Sequence, residues 1–261
     1  TVIAPSPGVT AYGKARIIRV PSFGFPRYPE LRIGHSRAFV HDVLQELKPD
    51  VVHLGSPAVL GAASLRAAQD LGNPSVAIYQ TDLAGFASRY HLGIAGRSIW
   101  RYIASIHRRA DLTLAPSTAA VWDLRERGVD NVVRWMRGVD LVRFNPSFRD
   151  EELRNSLAPE GQIIIGFVGR LAREKQIERL KDLCLLPHIK VVIVGDGPMK
   201  PKLEKELQGA IFTGFKSGVE LSKLYASFDI FVHTGTDETF CQAVQEALAS
   251  GVPVVAPASG G

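Results

Sequence analysis

The sequence predicts an α/β protein built on two parallel sheets. Two observations carry this. Short runs rich in Val, Ile, Leu and Phe recur along the 261 residues and are near-continuous rather than alternating, the pattern of strands buried on both faces. Segments with apolar residues at helical spacing lie between many of them, and alternating strands and helices build parallel sheets.

In chain order, strands are expected at 1–5, 16–20, 50–54, 75–79, 112–115, 163–168, 190–194, 210–213, 229–233 and 253–256. Helical faces are carried by Phe39, Val43, Leu44 and Leu47, by Ile99, Ile103 and Ile106, by Leu203 and Leu207, and by Leu221, Leu224 and Tyr225. Residues 137–155 hold Gly138, Pro146 and dense charge without a clear strand, and a new strand begins after Pro159-Glu160-Gly161. Two Rossmann-like parallel-sheet domains are therefore expected, 1–144 and 145–261. Both read as incomplete, because the chain opens inside a strand and stops at Gly260-Gly261, where a helix is due.

Composition narrows the class. Apolar residues make up 46% and charged residues 22%, which excludes disorder, collagen and coiled coil for the whole chain. The longest stretches free of Asp, Glu, Lys and Arg, 51–65 and 247–261, fall short of the ~18 apolar residues of a membrane span. Two cysteines, Cys184 and Cys241, exclude a disulfide framework and a four-cysteine zinc site and point to a reducing, cytoplasmic compartment. Residues 1–150 carry 19 Lys and Arg against 12 Asp and Glu, whereas residues 151–261 carry 12 against 14. A basic half is compatible with an anionic partner and equally with solvated helix faces. It lacks the aromatic-interleaved motifs of nucleic-acid binding.

In open parallel sheets, ligands sit beyond the carboxyl ends of strands. Gly169-Arg170-Leu171 directly follows the run 163–168, and Lys175 stands five residues after Arg170, where a helix should begin. Both are placed to meet an anion such as a diphosphate, and the same positions suit an Arg capping the sheet edge and a solvated helix Lys. Glu238 and Glu246 are eight residues apart after the strand at 229–233. Spacing alone favours an exposed amphipathic helix with ordinary glutamates; the other reading puts Glu238 ahead of a helix and Glu246 two turns inside it, one carboxylate in reach of the sugar of a nucleotide-sugar and the other of its ribose. The diphosphate then lies between them at the helix N-terminus. Val194-Gly195-Asp196-Gly197-Pro198 lacks the third glycine of a dinucleotide fingerprint and reads mainly as a tight turn. The histidines, among them His35, His91, His107 and His233, lack ligand spacing and read as structural; no metal motif is present. Trp122 and Trp135 are expected in the core, and Cys184 buried. Arg97, Arg101 and Arg108 share a helix face near Trp100, which reads as a solvated face or as a surface for anionic lipid.

Taken in order, Gly-Arg-Leu-x-x-Glu-Lys (169–175), Val-Gly-Asp-Gly-Pro (194–198), Thr-Gly-Phe (213–215) and Glu-x7-Glu followed by Ala-Leu-Ala-Ser-Gly-Val-Pro-Val-Val-Ala (238–256) resemble the nucleotide-sugar domain of retaining glycosyltransferases of family 4, with the GT-B fold. Tyr-Gln-Thr-Asp (79–82), Arg-Gly-Val-Asp (137–140) with Phe144-Asn145-Pro146, and Glu-Thr-Phe-Cys-Gln (238–242) narrow the resemblance to bacterial GDP-mannose-dependent α-mannosyltransferases acting on membrane glycolipids. The resemblance implies that Arg170 and Lys175 hold the donor diphosphate, Glu246 the ribose and Glu238 the transferred sugar. Backbone N–H groups near Phe240, Cys241 and Gln242 assist, and Phe215 and Lys216 lie beside the base. It implies no metal and no cofactor, a nucleotide-sugar donor, a lipid or glycolipid acceptor, and retention by front-face attack with the leaving phosphate taking the acceptor's proton. Domain 1–144 would hold the acceptor, with a peripheral site at the inner membrane face.

Gln80 stands where many relatives carry a His often discussed as catalytic; Gln donates a hydrogen bond but is no base. Asp82 is the nearest titratable group, so Asp82, Gln80 and Glu238 are the catalytic candidates. Cys241 stands where many relatives have Gly. The Gly-Gly loop that opens the family's first domain has no counterpart, and the chain alone is expected to lack transferase activity. A UDP-sugar-dependent glucosyltransferase, a nucleotide-sugar epimerase and a non-catalytic nucleotide-binding module remain as alternatives.

Overall fold

The computed structural model describes residues 1–25, 28–34, 36–55, 57–80, 93–236 and 238–259. Asp82, His35 and His91 lie outside the described residues. The described chain divides into two compact units that part between Trp135 and Met136.

In the first unit the order is β1 (Val2–Pro5), β2 (Ala11–Tyr12), β3 (Ala15–Val20), β4 (Ser22–Phe25), β5 (Tyr28–Gly34), α1 (Arg37–Leu47), β6 (Val52–Leu54), α2 (Val59–Asp70), β7 (Ser75–Ile78), α3 (Gly93–Arg109), β8 (Leu112–Ala115), α4 (Thr118–Arg125) and β9 (Val132–Arg134). Strands β6-β7-β8-β9 form a parallel sheet in sequence order, β1-β3-β2 a small mixed sheet, and β4-β5 an antiparallel hairpin. The hairpin, β2 and β9 carry no long apolar run, and apolar content alone did not reveal them. Helix α1 buries Val40 and Leu44, one residue off the expected stripe, and leaves Leu47 exposed. Ser36 caps it by accepting from the Phe39 N–H. Helix α3 buries Ile103 and Ile106 as its spacing requires.

His107 on α3 is fully buried. Its ring stands edge-on to Tyr79, and its Nδ1 lies 3.1 Å from the Thr113 hydroxyl. Burial lowers its pKa to about 4, so it is a neutral core residue. Trp122 and Trp135 are not core residues: Trp122 is 65% exposed and Trp135 40%. Trp122 sits on α4, whose buried face is instead Ala120, Val121 and Leu124.

The second unit contains α5 (Glu151–Leu157), β10 (Ile163–Val168), β11 (Ile189–Val194), α6 (Lys200–Glu206), β12 (Ile211–Gly214), α7 (Gly218–Ser227), β13 (Ile230–Val232), α8 (Gln242–Ala249) and β14 (Val254–Val255). Its five strands are parallel in the order β12-β11-β10-β13-β14. Residues 136–144 pack with this unit, and Phe144 enters its core edge-on to Tyr225 at 5.4 Å. Gly166 is required because a Cβ there would lie 2.1 Å from the Phe228 ring. Helix α5 is capped by Asp150, which accepts from the Leu153 N–H.

Sheet order positions the site. From β10 the chain moves outward through β11 and β12 on one side, then returns to lay β13 and β14 on the other. The direction reverses between β10 and β13. Ligands bind at such a switch point.

Candidate functional site

The loop after β10 holds Arg170 and Lys175; the loop after β13 holds Glu238, Phe240 and Cys241 and leads into α8. No α-helix begins at Lys175. Residues 173–175 form a single 3₁₀ turn, closed by Gln176 in the left-handed region at φ 50°. That turn is stitched to the β13 loop. The Thr234 hydroxyl donates to the Lys175 carbonyl at 2.5 Å, and Gln176 Nε2 donates to the Thr236 hydroxyl at 2.9 Å. Arg179 donates to the Thr234 carbonyl.

Across this seam the Lys175 ammonium forms an ion pair with Glu238 Oε1. Their side chains are 22% and 17% exposed, so the pair is largely screened from water. Arg170 is exposed at the mouth of the same loop and has no side-chain partner among the described residues.

The two glutamates separate as their spacing required, with one adjustment. Helix α8 starts at Gln242, so Glu246 lies about one turn inside it rather than two. Glu246 Oε2 accepts a 2.8 Å hydrogen bond from the Tyr225 hydroxyl. Burial raises the Glu246 pKa, and the Tyr225 donor works against that shift. Cys241 is the N-cap residue of α8, with no side-chain cap bond. Burial pushes its thiol pKa up, against the pull of the Val244 and Ala243 backbone groups.

Three residues named in the sequence were not placed at the site by it. His233, expected to be structural, lies inside the cluster: its Nε2 is 3.6 Å from Glu238 Oε1 and its Nδ1 3.5 Å from Cys241 Sγ. Burial lowers its pKa despite Glu238 beside it. Arg137 stacks on the Phe240 ring at 5.8 Å, and Gln242 Nε2 donates to the Gly138 carbonyl at 3.2 Å. The Arg-Gly-Val-Asp segment thus braces the β13 loop from about 100 residues away in sequence. The third is Tyr225. For His233 the available signal was its position at the end of a strand beside the Glu-x7-Glu segment.

His233, Glu238 and Cys241 each bring one ligand-type atom within 4.8 Å of the others. The Lys175 ammonium already sits on that carboxylate and supplies a positive charge there.

Gly-Asp-Gly acts as a spacer. Gly195 has φ 138°, and a Cβ on it would lie 2.0 Å from the Gly169 carbonyl oxygen. Only glycine lets this turn press against the Arg170 loop, where the Leu171 N–H donates to the Asp196 carbonyl at 2.8 Å. Phe215 follows β12 on the same sheet edge and is 74% exposed, a free aromatic face. Lys216 pairs with Glu220 at 3.6 Å.

In the first unit, Gln80 follows β7 and donates through Nε2 to the Gly55 carbonyl at 2.7 Å. Trp100 is held rather than presented: it packs on Tyr79 at 5.8 Å, and the Arg127 guanidinium covers its ring at 4.1 Å. Arg108 donates to the Arg127 carbonyl. Arg97, Arg101 and Arg109 remain exposed on α3. Among the described residues, no helix is long and apolar enough to cross a membrane.

The loops leaving β10 and β13 at the switch point of this parallel sheet thus carry Arg170, Lys175 and Glu238, with Lys175 and Glu238 paired across them. Residues 1–143 match the family described as glycosyltransferase family 4, and residues 148–261 match glycosyl transferases group 1; the chain belongs to these glycosyltransferases. It is 50% identical to a GDP-mannose-dependent α-mannosyltransferase of Mycolicibacterium smegmatis, over 100% of this chain and 71% of that protein. It is also 50% identical to the protein of the same name from Mycobacterium tuberculosis, over 94% of this chain and 65% of that protein. The chain thus spans about two thirds of the length of these relatives. The fold is shared with HepE of Anabaena, solved in complex with UDP, at TM-score 0.74 and 22% identity over 94% of this chain and 68% of that one.

Proposed function

We propose that the chain carries the sugar-transferring machinery of a retaining mannosyltransferase that moves mannose from GDP-mannose to a hydroxyl of a lipid or glycolipid acceptor. The observation that supports this is the Lys175–Glu238 ion pair between the loops that leave β10 and β13, with Arg170 on the first of these loops and Glu246 in the helix that follows the second. The second unit, with residues 136–144 included, is the donor side and the first unit the acceptor side. Arg170 and Lys175 neutralise the diphosphate, which lies against the free N–H groups of the first turn of α8. Glu238 accepts from sugar hydroxyls. Glu246 accepts from the ribose, and Phe215 with Lys216 flanks the base.

In the transfer step the bond from the anomeric carbon to the diphosphate oxygen breaks, and a bond to the acceptor oxygen forms on the same face. The acceptor's proton passes to the leaving diphosphate. Charge that develops on that leaving group is stabilised by Arg170, Lys175 and the helix terminus, so neither metal nor cofactor has a step to perform. Gln80 orients by hydrogen bonding and takes no proton. Asp82 is the acidic group nearest to it in sequence.

The exposed Arg97, Arg101 and Arg109 favour electrostatic association with an anionic membrane surface, consistent with a cytoplasmic, peripheral location. The test is calorimetric titration with GDP-mannose and UDP-glucose, followed by tracing of labelled sugar in the presence of anionic lipid vesicles. Tighter GDP-mannose binding with label in the lipid fraction is expected. Preference for UDP-glucose, label in free sugar, or binding without turnover in the full-length protein would replace this reading by the glucosyltransferase, the epimerase or the binding module.

A further inference from the structure

We infer that Tyr225 is the positioning residue for recognition of the nucleotide ribose, acting through Glu246; this rests on the donor-site reading above. The Tyr225 ring is fully buried and fixed from three sides, by Phe144 at 5.4 Å, Phe231 at 5.7 Å and Phe228 at 6.2 Å between centroids. A ring so confined cannot swing, and its hydroxyl points at one place. That place is Glu246 Oε2, 2.8 Å away.

The consequence is chemical as well as geometric. A carboxylate has two oxygens with several acceptor sites, and a vicinal ribose diol needs them in one fixed plane. With Oε2 anchored by Tyr225, the rotation of the Glu246 carboxylate is set and Oε1 is aimed by default. Tyr225 also favours the ionised carboxylate that burial opposes. The phenol itself is a dependable donor, because burial and the adjacent Glu246 charge keep it protonated. Besides these two groups, the Cys241 thiol is the only titratable neighbour acting on Tyr225 among the described residues, and it too is held neutral by burial.

Tyr225→Phe removes only the hydroxyl and keeps the ring that fills the core. The experiment titrates GDP and 2′,3′-dideoxy-GDP into the wild-type chain, Tyr225→Phe, Glu246→Gln and the double variant, with thermal melts to verify folding. Wild type should prefer GDP. Tyr225→Phe should bind GDP about tenfold more weakly, the size of one charge-assisted hydrogen bond, and bind the dideoxy nucleotide as wild type does. In the Glu246→Gln background the Tyr225 substitution should add nothing. Undiminished preference for GDP in Tyr225→Phe overturns the role of Tyr225 alone. Absence of that preference in wild type overturns the ribose role of Glu246, and the inference with it. If Tyr225→Phe fails to fold, Glu246→Asp decides: shortening the acid while keeping its charge should weaken GDP and spare the dideoxy form. Equal loss of both would overturn the proposal.

Discussion

Lys175 and Glu238, 63 residues apart in sequence, are partners in an ion pair that joins the loops leaving β10 and β13. The donor-site reading assigns them to different parts of one ligand, so the pair must open when that ligand arrives. The Lys175 ammonium then exchanges a carboxylate for a diphosphate. Glu238→Gln should therefore weaken GDP-mannose binding by roughly 100-fold or less while leaving GDP binding unchanged or slightly tighter, since the competing carboxylate charge is gone. Lys175→Met should weaken GDP and GDP-mannose alike and guanosine not at all. Calorimetry with the three ligands separates these patterns, and equal losses for GDP in both variants would refute the division of labour.

Cys241 places a thiol beside the same carboxylate. With its pKa raised by burial, the thiol is mostly protonated at neutral pH and alkylates slowly. Iodoacetamide labelling at Cys241, followed by mass spectrometry, should accelerate only at a more alkaline pH than labelling of an ordinary exposed thiol. Bound GDP-mannose should suppress it. Half-buried Cys184, remote in the fold from α8, serves as the internal control whose labelling the donor does not change. Donor-independent labelling of Cys241 would place the sugar elsewhere.

His107 links pH to the stability of the first unit. Its pKa falls from 6.5 to about 4 on burial, so the unfolded chain binds a proton that the folded chain refuses. Stability is therefore present above pH 6.5 and lost as pH falls toward 4, by at most about 3 kcal/mol. Thermal melts of wild type and His107→Gln over pH 7.5–4.5 should show a steeper acid decline in wild type. Parallel curves would mean that other groups govern the acid limb.

Much of the scaffold is legible in the order of the amino acids. Every one of the ten expected strands is present, because a strand buried on both faces has to be written in Val, Ile and Leu. Strand β2, the β4–β5 hairpin and β9 escaped because edge and surface pairing leaves little hydrophobic trace. The exposed Trp122 shows the converse error: an aromatic residue is no proof of a core position when Ala120, Val121 and Leu124 already cover the packed face.

That cations follow β10 and carboxylates follow β13 was likewise legible, because the strand ends could be read from the apolar runs. Which carboxylate pairs with which cation was not. Glu238 joins Lys175 only because β10 and β13 are neighbours in the sheet, and Tyr225 meets Glu246 only because α7 and α8 pack on one face. The same folding brings Arg137 onto Phe240 and His233 into contact with Cys241. Local sequence determined strands, turns and the chemistry on offer, since hydrophobic patterning and glycine conformations act over a few residues. Only the tertiary structure decided the pairings, since burial and strand order, set by the whole chain, govern distances between segments far apart in it.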